Sequence, residues 1–295
     1  MIREEFDFTS WEGPFDPGTR ARAQQALEHG HLLYFPKMPF KLSNSEAEFL
    51  DGRLTDGKAK NISLDHATGR IQGTSATGER AERLAAMMER FGAGATGFVK
   101  GLLPNYGGIE RARTSFRPVE VEGRPYSVIQ DDRLLHVDAF PSRPMKNGRR
   151  ILRFFANVAP VKAGGGGARH WEVGEPFEAF AVKFAPAIKP HLPGKSWLFE
   201  KLGVTRGRRS AYDEMMLSLH DRGKRDAAYQ KSSPHTPLDF PPGSCWLVYT
   251  DQVLHAALKG EFALEQTFHF DVADMGEPDT APIRVLERIT GRRLA

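Results

Sequence analysis

The spacing of apolar residues predicts a helical first part of the chain and a strand-rich second part. Asp16 followed by Pro17 predicts a helix start, because Asp is a favoured N-cap and proline a favoured first residue. Gly30 predicts the end of that helix. Between residues 79 and 91, apolar residues recur at steps of three and four, which predicts an amphipathic helix. We therefore expect residues 1–125 to be mainly helix and loop.

From about residue 125, short apolar segments bounded by Pro, Gly or Asn predict strands. These segments are 134–140, 151–158, 177–184, 245–250, 255–258 and 266–272. Ser210 and Asp213 have capping-box spacing, which predicts a helix inside an insertion at about 193–233. Many short strands without alternating long helices favour an antiparallel barrel or a double-sheet jelly roll. We predict one domain, with a jelly-roll core over 126–275 and a helical tail over 276–295.

The composition is that of an ordinary globular protein. The 295 residues are 40% hydrophobic and 26% charged, which is enough to bury a sizeable core. Cys245 is the single cysteine, so no intrachain disulfide can form, which fits a reducing compartment. The N-terminus lacks the apolar segment of a secretory signal, and no apolar run approaches the roughly 18 residues that span a bilayer. We expect a cytoplasmic protein.

The net charge of +4 fits an anionic partner but does not choose among nucleic acid, a membrane surface and an acidic small molecule. The sequence lacks zinc-finger spacing, an RNP-like run and a basic zipper, which argues against nucleic acid. The segment 283–294 is basic and amphipathic. It is either a solvated terminal helix or a contact with an anionic membrane.

Three His-x-Asp/Glu tripeptides could each supply two metal ligands, because residues i and i+2 of a strand point the same way. They are His136-Val-Asp138, His170-Trp-Glu172 and His269-Phe-Asp271. With ten histidines, roughly one such tripeptide is expected by chance, so the pattern alone is weak. His170 follows a run of four glycines, and His269 has no histidine after it. Context therefore favours His136 and Asp138.

His255 is the predicted third ligand, because it follows a tight turn and the apolar strand predicted at 245–250. Two imidazoles and one carboxylate form the facial triad of non-haem Fe(II) enzymes, which leaves positions open for other ligands. The alternative for His255 is a structural role in the core, with its ring nitrogens in hydrogen bonds. We predict no catalytic residue beyond the metal ligands.

Arg153 stands in the apolar segment 151–158, where an unpaired buried charge would be costly. A structural Asp or Glu could pair with it. A dicarboxylate co-substrate such as 2-oxoglutarate could do so as well, through bidentate hydrogen bonds. We favour the co-substrate, since this strand follows the predicted metal strand. Asn157 lies on the same predicted face and could bind the same ligand.

The arrangement of His136, Asp138 and His255 resembles the 2-oxoglutarate/Fe(II) dioxygenase superfamily, whose core is a double-stranded β-helix. A closer resemblance, to the hydroxylases of 3-deoxy-D-manno-oct-2-ulosonic acid (Kdo), covers most of the chain. The segments that carry it are 60–63, 113–118, 132–142, 150–158 and 171–177.

This resemblance implies hydroxylation at C3 of a Kdo residue on lipid A, in the inner core of lipopolysaccharide. It implies Fe(II), 2-oxoglutarate and O2 as requirements, succinate and CO2 as products, and ascorbate as an auxiliary reductant. Many superfamily members carry an arginine shortly after the distal histidine, where this chain has Gln266. Arg153 is therefore expected to anchor the far carboxylate of 2-oxoglutarate, with Asn157 and Gln266 beside it.

By motif position, five basic residues are candidates to bind the Kdo carboxylate and the lipid A phosphates. They are Lys60, Arg113, Arg117, Arg143 and Lys146. The lipid end of the substrate implies peripheral contact with the cytoplasmic face of the inner membrane, which the segment 283–294 could supply. Two other hypotheses stay open: a related oxygenase acting on another acidic or lipid substrate, and a metal-free jelly roll that binds acidic glycans.

Overall fold

The computed structural model describes residues 2–123, 125–140, 144–161, 166–188, 197 and 200–295. Within these ranges eleven strands form one sheet of eight and one sheet of three. The strands are β1 (Arg3–Glu5), β2 (Leu32–Phe35), β3 (Ile62–Asp65), β4 (Arg70–Gln72), β5 (Glu110–Arg117), β6 (Arg150–Asn157), β7 (Arg169–Val173), β8 (Thr236–Phe240), β9 (Cys245–Tyr249), β10 (His255–Lys259) and β11 (Ala263–Phe270). The α-helices are α1 (Pro17–Glu28), α2 (Gly78–Leu102), α3 (Phe177–Phe184), α4 (Ala211–Arg225), α5 (Ala227–Ser232) and α6 (Pro282–Thr290).

The large sheet has the order β1-β2-β9-β6-β11-β5-β3-β4, and the small sheet has the order β10-β7-β8. β1 and β2 are parallel, and the other pairs are antiparallel. β6 and β11 pair along eight residues near the middle of the large sheet. The fold is therefore sheet-rich, with helices around the sheets.

Successive side chains of β6 enter two different cores, as the period of two in a strand requires. Phe154 packs on the helical side, with its ring centroid 5.3 Å from that of Phe98 in α2. Phe155 packs between the two sheets, 5.1 Å from Trp171 of the small sheet and 5.0 Å from Trp246 of the large one. The space between the sheets is thus filled by aromatic rings at this end of β6.

The predicted helix signals in the first part and in the insertion are confirmed. Asp16 caps α1 and accepts a hydrogen bond from the backbone of Thr19 at 2.9 Å. The segment 79–91 lies within α2. Ser210 and Asp213 form a capping box at the start of α4. These signals are local, which explains why the sequence alone reveals them.

The expectation that residues 1–125 are mainly helix and loop was incomplete, because they contribute β1 to β5 to the large sheet. β5 is the clearest case. It carries Glu110, Arg111, Arg113 and Arg117 among its eight residues. Polar residues occur on both faces of this strand, with Thr114 on the side of Gln266 and Ser115 on the side of Glu265, so the alternation of apolar and polar residues that marks a half-buried strand is weak.

Two predicted strands were wrong. The segment 177–184 is helix α3, in which Phe177, Phe180, Ala181 and Phe184 are buried at helical spacing. The segment 134–140 forms no regular strand; its His136 makes an isolated antiparallel bridge with His255. This segment crosses between the sheets instead of extending either of them.

The C-terminal segment does not present an apolar face for membrane contact. Ile283, Val285 and Leu286 of α6 are buried in the main core, as is Leu294. The apolar side therefore packs inward and the helix is docked on the core, whereas the sequence predicted either a solvated terminal helix or a contact with an anionic membrane. In the part of the chain that the structure describes, no helix combines the length and apolar character needed to cross a bilayer.

Candidate metal centre

His136, Asp138 and His255 are brought together where the chain passes between the two sheets. His255 begins β10, and its backbone exchanges two hydrogen bonds with His136, at 2.9 and 3.1 Å. The backbone N–H of Asp138 donates to Thr250 at 2.7 Å, just after β9. His136 and Asp138 stay on the same side because this stretch is extended, although it is not a strand.

One ligand atom from each of these three side chains lies within 4.8 Å of the others. The His136 and His255 ring centroids are 4.6 Å apart, and His136 Nε2 lies 3.9 Å from Asp138 Oδ1. Among the residues that the structure describes, this is the one His, Cys, Asp and Glu group with metal-site geometry. His170 pairs with the exposed Asp239 at 2.6 Å instead.

The hydrogen bonds of both imidazoles leave one nitrogen of each for a metal. His136 Nδ1 donates to the carbonyl of Leu134 at 2.7 Å, and His255 Nδ1 donates to that of Val253 at 2.9 Å. These bonds fix the tautomer that has its lone pair on Nε2, as second-shell partners do for metal-bound histidines. A core histidine with both ring nitrogens in hydrogen bonds, the alternative for His255, would not leave both Nε2 atoms beside one carboxylate.

The electrostatics of the cluster suit a cation. Burial holds the pKa of His136 well below its ordinary value, and the neighbouring His255 and Lys224 lower it further. Burial likewise lowers the pKa of His255. Burial alone would raise the pKa of Asp138, but the positive charge of Arg153 holds it well below the usual range. The neutral pH state therefore has two neutral imidazoles and one carboxylate, the donor set of a facial triad.

We expect metal binding to survive mild acidification. Protons compete for Nε2 only when the pH falls through the lowered pKa values, below the ordinary histidine value of 6.5. Co(II) affinity measured by anaerobic calorimetry from pH 7.5 to pH 5 should therefore stay nearly flat to below 6.5. The metal-free chain should lose stability over this range, because imidazoles in the unfolded state protonate first. A metal affinity that halves around pH 6.5 would contradict the burial argument.

Arg153 forms ion pairs within the protein, whereas the co-substrate argument assumed that its charge had no protein partner. Its guanidinium lies 2.8 Å from Asp138 Oδ2 and 3.1 Å from Glu265 Oε1. The alternative of a structural Asp or Glu partner for Arg153 is therefore what the structure shows. Glu265 also pairs with Arg117, so two buried guanidiniums share its one carboxylate.

Asn157 and Gln266 are not brought to the site. The Asn157 side chain donates to the carbonyls of Gly167 and Phe240, both at 2.8 Å. Gln266 is fully buried on the opposite face of β11, where Thr114 Oγ1 donates to it at 2.6 Å. The polar groups of these two side chains form hydrogen bonds with the scaffold, away from the metal cluster.

The five candidate substrate-binding residues have different surroundings. Lys60 donates to the carbonyl of Gln130 at 2.8 Å and pairs with Asp132, so it is engaged within the chain. Arg117 is paired with Glu265. Arg113 is half-buried beside a cavity. Arg143 lies outside the described residues, and so does the side chain of Lys146.

Three residues near the cluster were not predicted to belong there. Trp171 stacks on the His255 ring at 5.2 Å, and the ring of His220 lies 5.5 Å from that of His136. Glu265 closes the charged group around Arg153. A buried acidic residue in an apolar strand could have marked Glu265, by the reasoning applied to Arg153. The other two depend on which elements pack together, which local sequence does not encode.

The cavities of the molecule differ in their relation to this cluster. A cavity of about 430 Å³ includes Phe140 and Arg113 in its lining, and Phe140 also belongs to a smaller one that reaches Asp138. A larger cavity of about 680 Å³ includes Val253 and Leu254, and neither it nor the 430 Å³ cavity is lined by a metal ligand. We associate the chemistry with the smaller cavity because Asp138 lines it, and with the 430 Å³ cavity because the two share Phe140, Met145 and Arg149.

Comparison with known proteins agrees with this geometry. Residues 10–293 match the family model of 3-deoxy-D-manno-oct-2-ulosonic acid (Kdo) hydroxylase. The chain is similar to a Kdo hydroxylase described as a non-haem Fe(II) alpha-ketoglutarate dependent dioxygenase. Its complex with alpha-ketoglutarate and Fe(III) is 42% identical, with a TM-score of 0.94 over 100% of this chain and 98% of that one. Its cobalt(II) complex is 44% identical, with a TM-score of 0.95 over 100% and 97%. No curated protein sequence matches the chain.

Proposed function

The chain belongs to the Kdo hydroxylase family, and we propose from this premise that it hydroxylates C3 of a Kdo residue on lipid A. It is an Fe(II)- and 2-oxoglutarate-dependent dioxygenase. The observation that carries the proposal is the convergence of two free Nε2 atoms and one carboxylate, from His136, Asp138 and His255. The precise acceptor, Kdo on lipid A, is the part that goes beyond the family.

When bound, iron and 2-oxoglutarate supply the oxidation, in which O2 converts 2-oxoglutarate into succinate and CO2 and a substrate C–H into C–OH. The protein's own contribution is to bind, orient and exclude water. His136, Asp138 and His255 would hold the metal through three neighbouring positions and leave the others open. The hydrogen bonds from the two Nδ1 atoms fix the ring planes, and Trp171 covers one face of His255.

We infer that Arg153 and Arg117 hold the far carboxylate of 2-oxoglutarate together. Their side chains are 13% and 17% exposed, and the shared Glu265 is 3% exposed. If Asp138 held a metal, its attraction for Arg153 would weaken, and Arg153 and Arg117 would share Glu265, with Asp132 as a more distant partner 3.9 Å from Arg117. An incoming carboxylate would restore the balance, with Arg153 exchanging Asp138 for the co-substrate.

We also infer that the whole chain is a single oxygenase domain with a double-stranded β-helix, or jelly-roll, core. Antiparallel pairing in both sheets and the aromatic layer between them support this assignment. The metal cluster lies where β10 of the small sheet meets the crossing segment at His136. That position, at one end of the space between two sheets, is where such a core can hold a ligand.

The direct test is turnover of the wild-type chain with Kdo-bearing lipid A, Fe(II) and 2-oxoglutarate under air. We expect one succinate for each product, and a product mass higher by about 16 Da, one oxygen atom. Lipid A without Kdo is the matched control and should give no such product. Succinate release coupled to another acceptor, with Kdo-lipid A unchanged, would favour a related oxygenase. A chain that binds no iron and releases no succinate would contradict the enzyme hypothesis.

A further inference from the structure

On the premise of the proposed function, we propose that the 430 Å³ cavity, which shares Phe140, Met145 and Arg149 with the small cavity that reaches Asp138, binds an oxyanion of the substrate through Arg113. The oxyanion is either the carboxylate of the sugar acid or a phosphate elsewhere on the glycolipid. This gives Arg113 a specificity-determining role distinct from those of the metal ligands and of the co-substrate pair.

The face of the large sheet that lines the active site changes character across the strands. One row of paired residues begins with Trp246 of β9 and Phe155 of β6, which pack under the small sheet. The same row continues through Glu265 of β11 and Ser115 of β5 to Ser63 of β3. Paired residues point to the same face of a sheet. This face is therefore aromatic where it packs under the small sheet and polar at β11, β5 and β3, farther from the small sheet.

Arg113 lies on this polar part of the face. It is two residues from Ser115 and four from Arg117, so the three side chains share one side of β5. The pairing of β11 with β5 shifts register between Gln266 and Phe268. This bulge places two residues of β5 opposite one of β11 at Arg113, and bulges beside active sites re-aim side chains.

The other two arginines around the cavity are already paired. Arg111 donates to Glu89 at 2.6 Å, and Arg149 donates to Glu110 at 2.6 Å. Within the part of the chain that the structure describes, the half-buried Arg113 forms no ion pair and no side-chain hydrogen bond, although its charge helps to lower the pKa of Asp65, which lines the same cavity. A half-buried guanidinium without a hydrogen bond retains all five of its donors for a ligand. Guanidinium matches carboxylate and phosphate through two parallel hydrogen bonds.

The rest of the lining suits a sugar. Phe140 and Met145 make an apolar wall, and the Phe140 ring meets the edge of His269 at 5.8 Å. Burial lowers the pKa of His269 to about 4, so its ring is a neutral hydrogen-bonding group. An apolar wall opposite polar groups matches a sugar ring, which has apolar C–H faces and a hydroxylated rim.

The position also fits. Phe140, which lines the cavity, is two residues beyond the ligand Asp138, so their Cα atoms are at most about 7 Å apart. A group held there would be attached to, or be a neighbour of, the carbon that is oxidised. The cavity volume is within the range of small-molecule sites, roughly 300–1,000 Å³.

The test is steady-state kinetics of Arg113→Gln with two acceptors: Kdo-lipid A, and a Kdo glycoside without phosphate. Loss of a charge-assisted pair should raise the acceptor KM about tenfold or more. The kcat and the KM for 2-oxoglutarate should change by no more than about twofold, because those groups bind elsewhere. Arg113→Lys keeps the charge but cannot form two parallel hydrogen bonds, so its acceptor KM should lie between those of the wild type and Arg113→Gln. The exposed Arg292→Gln is the matched control for charge loss.

Each outcome decides a point. A raised KM for both acceptors supports binding of the sugar carboxylate, and a raised KM for the phosphorylated acceptor alone supports binding of phosphate. Unchanged KM values in Arg113→Gln, with a wild type that turns over, contradict this inference and leave the proposed function intact. A wild type that hydroxylates neither acceptor contradicts the proposed function and this inference with it. Equal iron content and melting temperature in all variants exclude misfolding as the cause.

Discussion

His136→Ala is expected to abolish iron binding and succinate release together. The substitution removes one of the three ligand groups of the cluster, while leaving the backbone bridge to His255 available. Loss of outer-shell partners alone costs about 10- to 100-fold in metal affinity, so loss of a ligand should exceed that range. Iron content measured after anaerobic loading and desalting, together with succinate release, gives the result directly.

The chain provides a matched control in its own sequence. His170 belongs to a rival His-x-Glu tripeptide, but its ring pairs with Asp239 on the surface. His170→Ala should keep both iron and turnover near the wild-type level. The reverse pattern, with iron lost from His170→Ala and kept in His136→Ala, would place the metal centre elsewhere and remove the basis of the proposed function.

Arg153→Gln should raise the KM for 2-oxoglutarate by about 10- to 100-fold, the equivalent of one strong charge-assisted pair. The physical reason is the loss of one of the two guanidiniums that share Glu265. Succinate release against 2-oxoglutarate concentration, at saturating iron, measures the effect. Arg153→Lys should recover only part of it, since an ammonium cannot form the bidentate pair.

The structural alternative for Arg153 makes a different prediction. If its main task is to orient Asp138, to which it lies 2.8 Å away, the variant should lose iron affinity while the KM for 2-oxoglutarate stays unchanged at saturating iron. Iron titration of Arg153→Gln therefore separates the two roles. A drop in iron affinity alone would assign the arginine to the metal ligand and not to the co-substrate.

Local signals in the sequence were reliable where a short segment determines its own structure. Asp16 and the Ser210 capping box predicted helix starts that α1 and α4 have. The pair His136 and Asp138 was selected from three similar tripeptides by context, and the structure brings this pair to His255. The assumed strand is absent, yet the i and i+2 geometry is kept by extended backbone.

Features that depend on strand pairing were less accessible. The expected position of a co-substrate arginine fell on Gln266, whose side chain points to the helical side, while the adjacent Glu265 faces the site. A shift of one residue along a strand changes its face, and no local pattern fixes this when both faces are buried. The aromatic run at 177–184 predicts a strand, but its buried residues have the three- and four-residue spacing of a helix.

The backbone bridge between His136 and His255 also affects how the chain holds together. These residues are 119 positions apart (255 − 136), so a metal bound to both would connect distant parts of the polypeptide. Unlike a disulfide, the metal would bind the folded chain and leave the unfolded one, so it would stabilise the fold by mass action. Iron would then stabilise the fold as well as take part in the reaction. Its removal by a chelator would make the segments between His136 and His255 easier for a protease to cut.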